Sequence, residues 1–167
     1  MLNNIKNIYR HMIPIALIMA ILFLGNWLYI GYTGPKEIQR SYSGIMYKNG
    51  KFEPVEQINI KISGKYSRGL FGEADEFEGT ILIGEKVLTL NKYPIKFNKN
   101  NMGLLSLGPI PEDYGMIFIS NMFEKMTIQL IANQQDQWIS APCVNREEAV
   151  NLSNELIQRV SKGLRNF

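Results

Sequence analysis

Apolar and polar residues follow three rhythms along this chain. Residues 12–32, "MIPIALIMAILFLGNWLYIGY", are apolar on every side, and no Lys, Arg, Asp or Glu stands between Arg10 and Lys36. As a helix these 21 residues reach about 31 Å, which matches a hydrocarbon core of ~30 Å. A helix also satisfies its own backbone hydrogen bonds in lipid. Pro14 is expected in the first turn, where its missing N–H costs little. Tyr9 at the upstream end and Trp27, Tyr29 and Tyr32 at the downstream end are placed as interfacial anchors. Gly34-Pro35 ends the helix, because proline cannot continue it.

The middle of the chain turns to alternation. In "EQINIKISG", Ile58, Ile60 and Ile62 share one face while Asn59, Lys61 and Ser63 share the other, which predicts a strand with one dry face. Asn49-Gly50 accepts the positive φ angles of a tight hairpin turn, and Pro54 marks a strand edge or break. "FEGTILIGEKVLTL" reads as a second hairpin turning at Gly84. "GMIFIS" is apolar on both faces and is expected to be a central, doubly covered strand. "EKMTIQLI" follows after a tight connection at 121–123, and "QWISAP" closes the series at Pro142.

The last segment changes to helical spacing. Ala149, Leu152, Leu156 and Val160 form one stripe, widened by Val150 and Ile157, so a helix is predicted over about 146–162. Asn145 is placed as its cap with Glu148 completing a capping box, Val144 and Ala149 as a hydrophobic staple, and Gly163 as its stop. The expected fold class is α+β: a transmembrane helix, an antiparallel sheet of six to eight strands, curled or sandwich-like, and one C-terminal helix packed on it. The domain organisation read from these patterns is a short cytoplasmic tail (1–11), a span (12–32), a hinge (33–36) and an extracytoplasmic domain (37–167).

Charge bears on orientation. Of eighteen Lys and Arg, two precede the span as Lys6 and Arg10, and the remaining sixteen nearly balance all fifteen Asp and Glu. No nucleic-acid footprint follows from that balance. Lys6 and Arg10 precede the span, but Lys36 and Arg40 follow soon after it. The short tail and large C-terminal domain, more than charge, therefore favour N-inside, C-outside insertion into the plasma membrane; the alternative leaves the domain in the cytoplasm. A secretory signal has a shorter apolar stretch and a small-residue cut site. Here the run is long and its exit is crowded by rings, so retention as a signal anchor is expected.

Candidate chemistry is sparse. His11 is the single histidine, which excludes Ser-His-Asp and Cys-His arrangements from the domain. With one cysteine, Cys143, there is neither an internal disulfide nor a thiolate metal cluster. No phosphate-loop or dinucleotide glycine pattern occurs. Thus no catalytic residue, cofactor or metal is assigned. Glu73, Asp75, Glu76 and Glu78 are weak cation candidates, because along a strand Asp75 points away from its neighbours and a charged loop explains the cluster. Tyr66, Phe71, Tyr93, Tyr114 and Trp138 fall near predicted strand ends, where they either close the core or form a partner surface.

The ending "ISAPCVNREEAVNLSNEL" and the layout resemble small bacterial single-pass membrane proteins with an exported α+β domain, a group to which no activity is attached. The function expected from these readings is a membrane-anchored, non-enzymatic domain that binds a protein or envelope component. The alternatives are a carboxylate-dependent envelope hydrolase, which needs a cleft with converging acids, and a pilin-like subunit, which needs the apolar helix to run on into the domain.

Overall fold

The computed structural model describes residues 2–48, 55–69, 73–89, 93–106, 114–132 and 135–164. The chain divides into two compact units, Met1–Gly34 and Pro35–Phe167. The first is a single helix, α1 (Leu2–Thr33). Its Met12–Thr33 stretch has a mean hydropathy of 2.1 and none of it is buried, so it is long and apolar enough to cross a membrane. The helix begins ten residues before the apolar run. Pro14 therefore lies inside it rather than in its first turn and removes one N–H from the ladder. At the other end the Thr33 hydroxyl and the Gly34 N–H bond back to the carbonyls of Tyr29 and Ile30. Pro35 then stops the helix.

The second unit is a closed barrel with one helix on its outside. Its strands are β1 (Lys36–Lys48), β2 (Glu56–Ser67), β3 (Asp75–Ile83), β4 (Lys86–Thr89), β5 (Ile95–Phe97), β6 (Met102–Ser106), β7 (Tyr114–Ser120), β8 (Lys125–Ala132) and β9 (Gln135–Ala141). The helix is α2 (Arg146–Leu164). β4 and β5 lie in succession along one edge of β3, with Thr89 opposite Thr80 and Ile95 opposite Phe77. Together they serve as one strand of the ring. Every neighbour in the ring is antiparallel and next in sequence, and β1 closes on β9 through Ile45–Ser140 to Lys48–Gln137. This is an eight-stranded up-and-down barrel, the curled alternative for the sheet; full closure removes most open edges.

The alternation seen in the sequence sets what faces where. Ile60 and Ile62 on β2, Phe77 and Ile81 on β3, Ile117 on β7 and Ile128 on β8 point inward and are essentially inaccessible. An eight-stranded ring is just wide enough to be filled by side chains, and this one is filled through its middle. The outer face carries charge: Glu37 pairs in register with Lys65, Lys65 with Glu78, and Glu76 with Lys96. That is the inverse of a membrane barrel, whose apolar band faces outward. Gly64 on β2 and Gly79 on β3 sit opposite each other. A Cβ on Gly79 would lie 2.3 Å from the Ser63 carbonyl oxygen and 2.6 Å from the Gly64 Cα, so only glycine fits that rung.

α2 covers the outer face of β8 and β9, flanked by β1 and β7. Ala149, Leu152, Leu156 and Val160 are all buried, against Ile45, Tyr47, Phe118 and Cys143. Phe118 faces α2 while Ile117 and Ile119 face the lumen, so β7 is covered on both sides, as its apolar sequence requires. Asn145 Oδ1 accepts from the Glu148 N–H at 2.9 Å, and Glu148 Oε2 accepts from the Val144 N–H at 3.1 Å. The capping box thus forms with its return bond one residue further back. The hydrophobic staple does not form: Val144 is 72% exposed while Ala149 is turned to the sheet. The helix also runs one residue beyond Gly163.

Two hairpin expectations diverge. The Gly84-Glu85 turn is as read, with Gly84 at φ +59° and Ile83 opposite Lys86. A two-residue turn at Asn49-Gly50 would set Lys48 against Lys51. β1 and β2 do form a hairpin, but in a register that sets Met46 opposite Glu56. Asn49, Gly50 and Pro54 themselves lie outside the described residues.

Candidate functional site

One end of the barrel is where β1, β3, β6 and β8 begin. There the β7–β8 turn, residues 121–124, sends a side chain inward. Phe123 is fully buried although it lies in a turn rather than a strand. Its ring meets Phe77 at a centroid distance of 4.7 Å, Phe97 at 5.8 Å and Tyr66 at 6.2 Å, each in an edge-on arrangement. Glycines make room for this seat. A Cβ on Gly64 would come within 2.9 Å of the Phe77 ring, and one on Gly103 within 3.2 Å of the Phe97 ring.

The backbone that delivers Phe123 is left-handed for three residues in a row, none of them glycine: Asn121 at φ 39°, Met122 at 51° and Phe123 at 66°. The Glu124 N–H closes the turn on the carbonyls of Ser120 and Asn121. Left-handed geometry costs roughly 1–2 kcal/mol per ordinary residue, less for Asn. Burying a phenyl ring returns about 2–3 kcal/mol, and each edge-on contact about 0.5–1.5 kcal/mol more. Strain and seat are therefore of the same order. A latch adds to the seated side: the Tyr42 hydroxyl donates to the Phe123 carbonyl at 2.7 Å.

Beside the seat, Asp75 is drawn out of the acidic cluster. Its Oδ2 accepts from the Tyr66 hydroxyl at 2.6 Å and its Oδ1 from the Gly69 N–H at 2.9 Å. Burial, then the Asp75 carboxylate, pushes the Tyr66 phenol well above its ordinary range. Glu76 is tied to Lys96 at 3.1 Å. Glu73 and Glu76 share an open groove of about 460 Å³ with Arg68, Gly69, Ala74 and Lys96. Two acids and two bases line it, so it presents neither a concentrated anion nor a concentrated cation site. Glu78 stands opposite Lys65 in the β2–β3 register. Among the described residues, no three acids, histidines or cysteines are grouped to hold a metal.

A second polar feature lies beneath α2. Ser153 Oγ donates to the Ala149 carbonyl at 2.9 Å, and a carbonyl can only accept. The hydroxyls of Tyr47 and Ser140, at 2.5 and 2.8 Å from Ser153, must then donate to it. Ser140, its proton spent, accepts from Thr127 at 3.0 Å. The directions of four buried hydroxyls follow from one fixed bond. Burial raises the Tyr47 phenol above its usual range, and burial raises the Cys143 thiol to about 11. Such a thiol is protonated and shielded, a packing residue of the seam.

Of the aromatic residues expected near strand ends, the structure describes the side chains of Tyr66, Tyr93 and Trp138. Tyr66 is inside the barrel, Tyr93 is 70% exposed on its outside, and Trp138 is half-buried at the edge of α2 with an indole N–H that finds no acceptor. Tyr114 is the first residue of β7, and Phe71 lies outside the described residues. On α1, Trp27, Tyr29 and Tyr32 are exposed near the downstream end, and Tyr9 is within the helix. Sequence reading missed Phe123. Its signal was a bulky "NMF" where a tight turn calls for Gly, Asn or Asp. The chain matches no protein-family model, no curated protein and no solved structure.

Proposed function

We propose that this chain is a membrane-anchored, non-enzymatic binding domain. α1 stays in the plasma membrane as a signal anchor with the N-terminus inside, and the barrel stands on the outer side, where it engages a protein or envelope component. The observation that carries this reading is a barrel filled by its own side chains and charged on its outer face, joined by two residues to a long apolar helix. Tethering confines the barrel to a thin layer and raises its effective concentration toward neighbours in that layer. Retention is supported by the end of α1. The chain is helical through Thr33 and enters β1 at Lys36, whereas a leader peptidase cuts extended, small-residue backbone.

A pilin-like subunit is less well supported, since α1 stops at Gly34-Pro35 and a strand follows. A carboxylate-dependent hydrolase has the groove at Glu73 and Glu76 in its favour, but Glu76 is ion-paired with Lys96. Protease shaving of intact and lysed cells, followed by alkaline extraction of membranes, tests anchoring and sidedness together. The expected result is a barrel cleaved from outside and a helix that stays with the lipid. In-cell crosslinking then tests for a partner; a protein that always migrates alone overturns the binding reading.

A further inference from the structure

We infer that the seat of Phe123 is a binding site for a single-ring aromatic ligand, with Phe123 as its built-in, displaceable occupant. This names a ligand class for the proposed binding domain and rests on that reading. Three observations converge on the site. The pocket walls are rings, Tyr66, Phe77 and Phe97, whose space is cleared by Gly64 and Gly103. The occupant comes from a short turn at the barrel end, so it can leave without breaking a strand ladder. That turn is left-handed at Asn121, Met122 and Phe123, so the backbone relaxes when the ring withdraws. A permanent core residue needs no such delivery, since strands already point side chains inward at every second position. A ligand that fills the seat replaces the lost ring contacts and leaves the turn free to adopt right-handed geometry. The Tyr42 hydroxyl, released from the Phe123 carbonyl, stands at the rim and can bond a polar substituent on the ligand.

The test uses the full chain in lipid nanodiscs with 4-fluorophenol as probe and empty nanodiscs as background. Fluorine NMR reads binding, and chymotrypsin cleavage after Phe123 reads withdrawal of the ring. In the wild type the probe should bind and accelerate that cut severalfold while cuts elsewhere in the barrel are unchanged. Met122→Gly relieves left-handed strain in the seated turn, so it should weaken probe binding and slow the cut, each by roughly fivefold. Phe123→Ala empties the seat and should bind the probe more tightly than the wild type; should it fail to fold, the Met122→Gly comparison decides. A cut insensitive to the probe, or equal binding by wild type and Met122→Gly, overturns the inference. Either failure is separable from failure of the tethered-domain reading, which shaving and crosslinking report without any small molecule.

Discussion

Replacing Ser153 by alanine should destabilise the barrel more than removing the tyrosine hydroxyl that bonds to it. In the seam beneath α2, Ser153 is the shared acceptor for Tyr47 and Ser140. Ser153→Ala strands two buried donors at once. A buried group left without a partner costs about 1–3 kcal/mol, and alanine returns roughly 0.5 kcal/mol as a better helix former. With two groups stranded, the net loss is about 1.5–5.5 kcal/mol. Tyr47→Phe removes a donor, but Ser153 keeps its bonds to Ser140 and to the Ala149 carbonyl. That change should cost about 1 kcal/mol. For a domain of this size 1 kcal/mol shifts the melting midpoint by about 3–4 °C, so the two variants should differ by several degrees. The double variant should cost less than the sum, because Tyr47→Phe removes one of the donors that Ser153→Ala orphans. Urea and thermal unfolding of all four proteins complete the cycle. A Tyr47→Phe penalty equal to or above that of Ser153→Ala would refute the assigned hydrogen-bond directions.

Three further outcomes are expected. Gly79→Ala forces a Cβ into the Ser63 carbonyl and the Gly64 Cα, and should cost about 3 kcal/mol or more, read as a lowered urea midpoint. Stability should decline above about pH 9: Cys143 keeps its proton to about 11 when folded but to 9.0 when unfolded, so the unfolded chain sheds protons first. Tyr42, Tyr47 and Tyr66, all raised, extend the decline above pH 10, and Cys143→Ser should flatten its first part. Trp138→Phe deletes the indole N–H that lacks an acceptor, so its penalty should stay below about 1.5 kcal/mol despite the lost ring, measured by thermal unfolding.

Local periodicity carried much of the architecture. The period-two run at Ile58, Ile60 and Ile62, the doubly apolar β7 and the stripe from Ala149 to Val160 all pack as read. What local patterns do not encode is which strands meet. Closure depends on β1 reaching β9 across the whole domain, and nothing in either segment announces its partner. β5 and β6, three and five residues long, are too short to show alternation. Asn49-Gly50 signalled the hairpin that β1 and β2 form, but not its register, which the Met46–Glu56 pair sets. Ser153 hides within a hydrophobic stripe because hydropathy counts its hydroxyl against burial, although here four hydroxyls satisfy one another. Asp75 looked like one acid among four; its tie to Tyr66 appears only once β2 and β3 are paired.

The closing pair of the ring sets a timetable for the newborn chain. Ile45 waits for Ser140 to be synthesised, an interval of roughly 5–20 s at ordinary ribosome speed. Through that interval the early strands have no complete circle to join, although each can already pair with the neighbour next to it in sequence. The barrel shuts only when the last strand arrives.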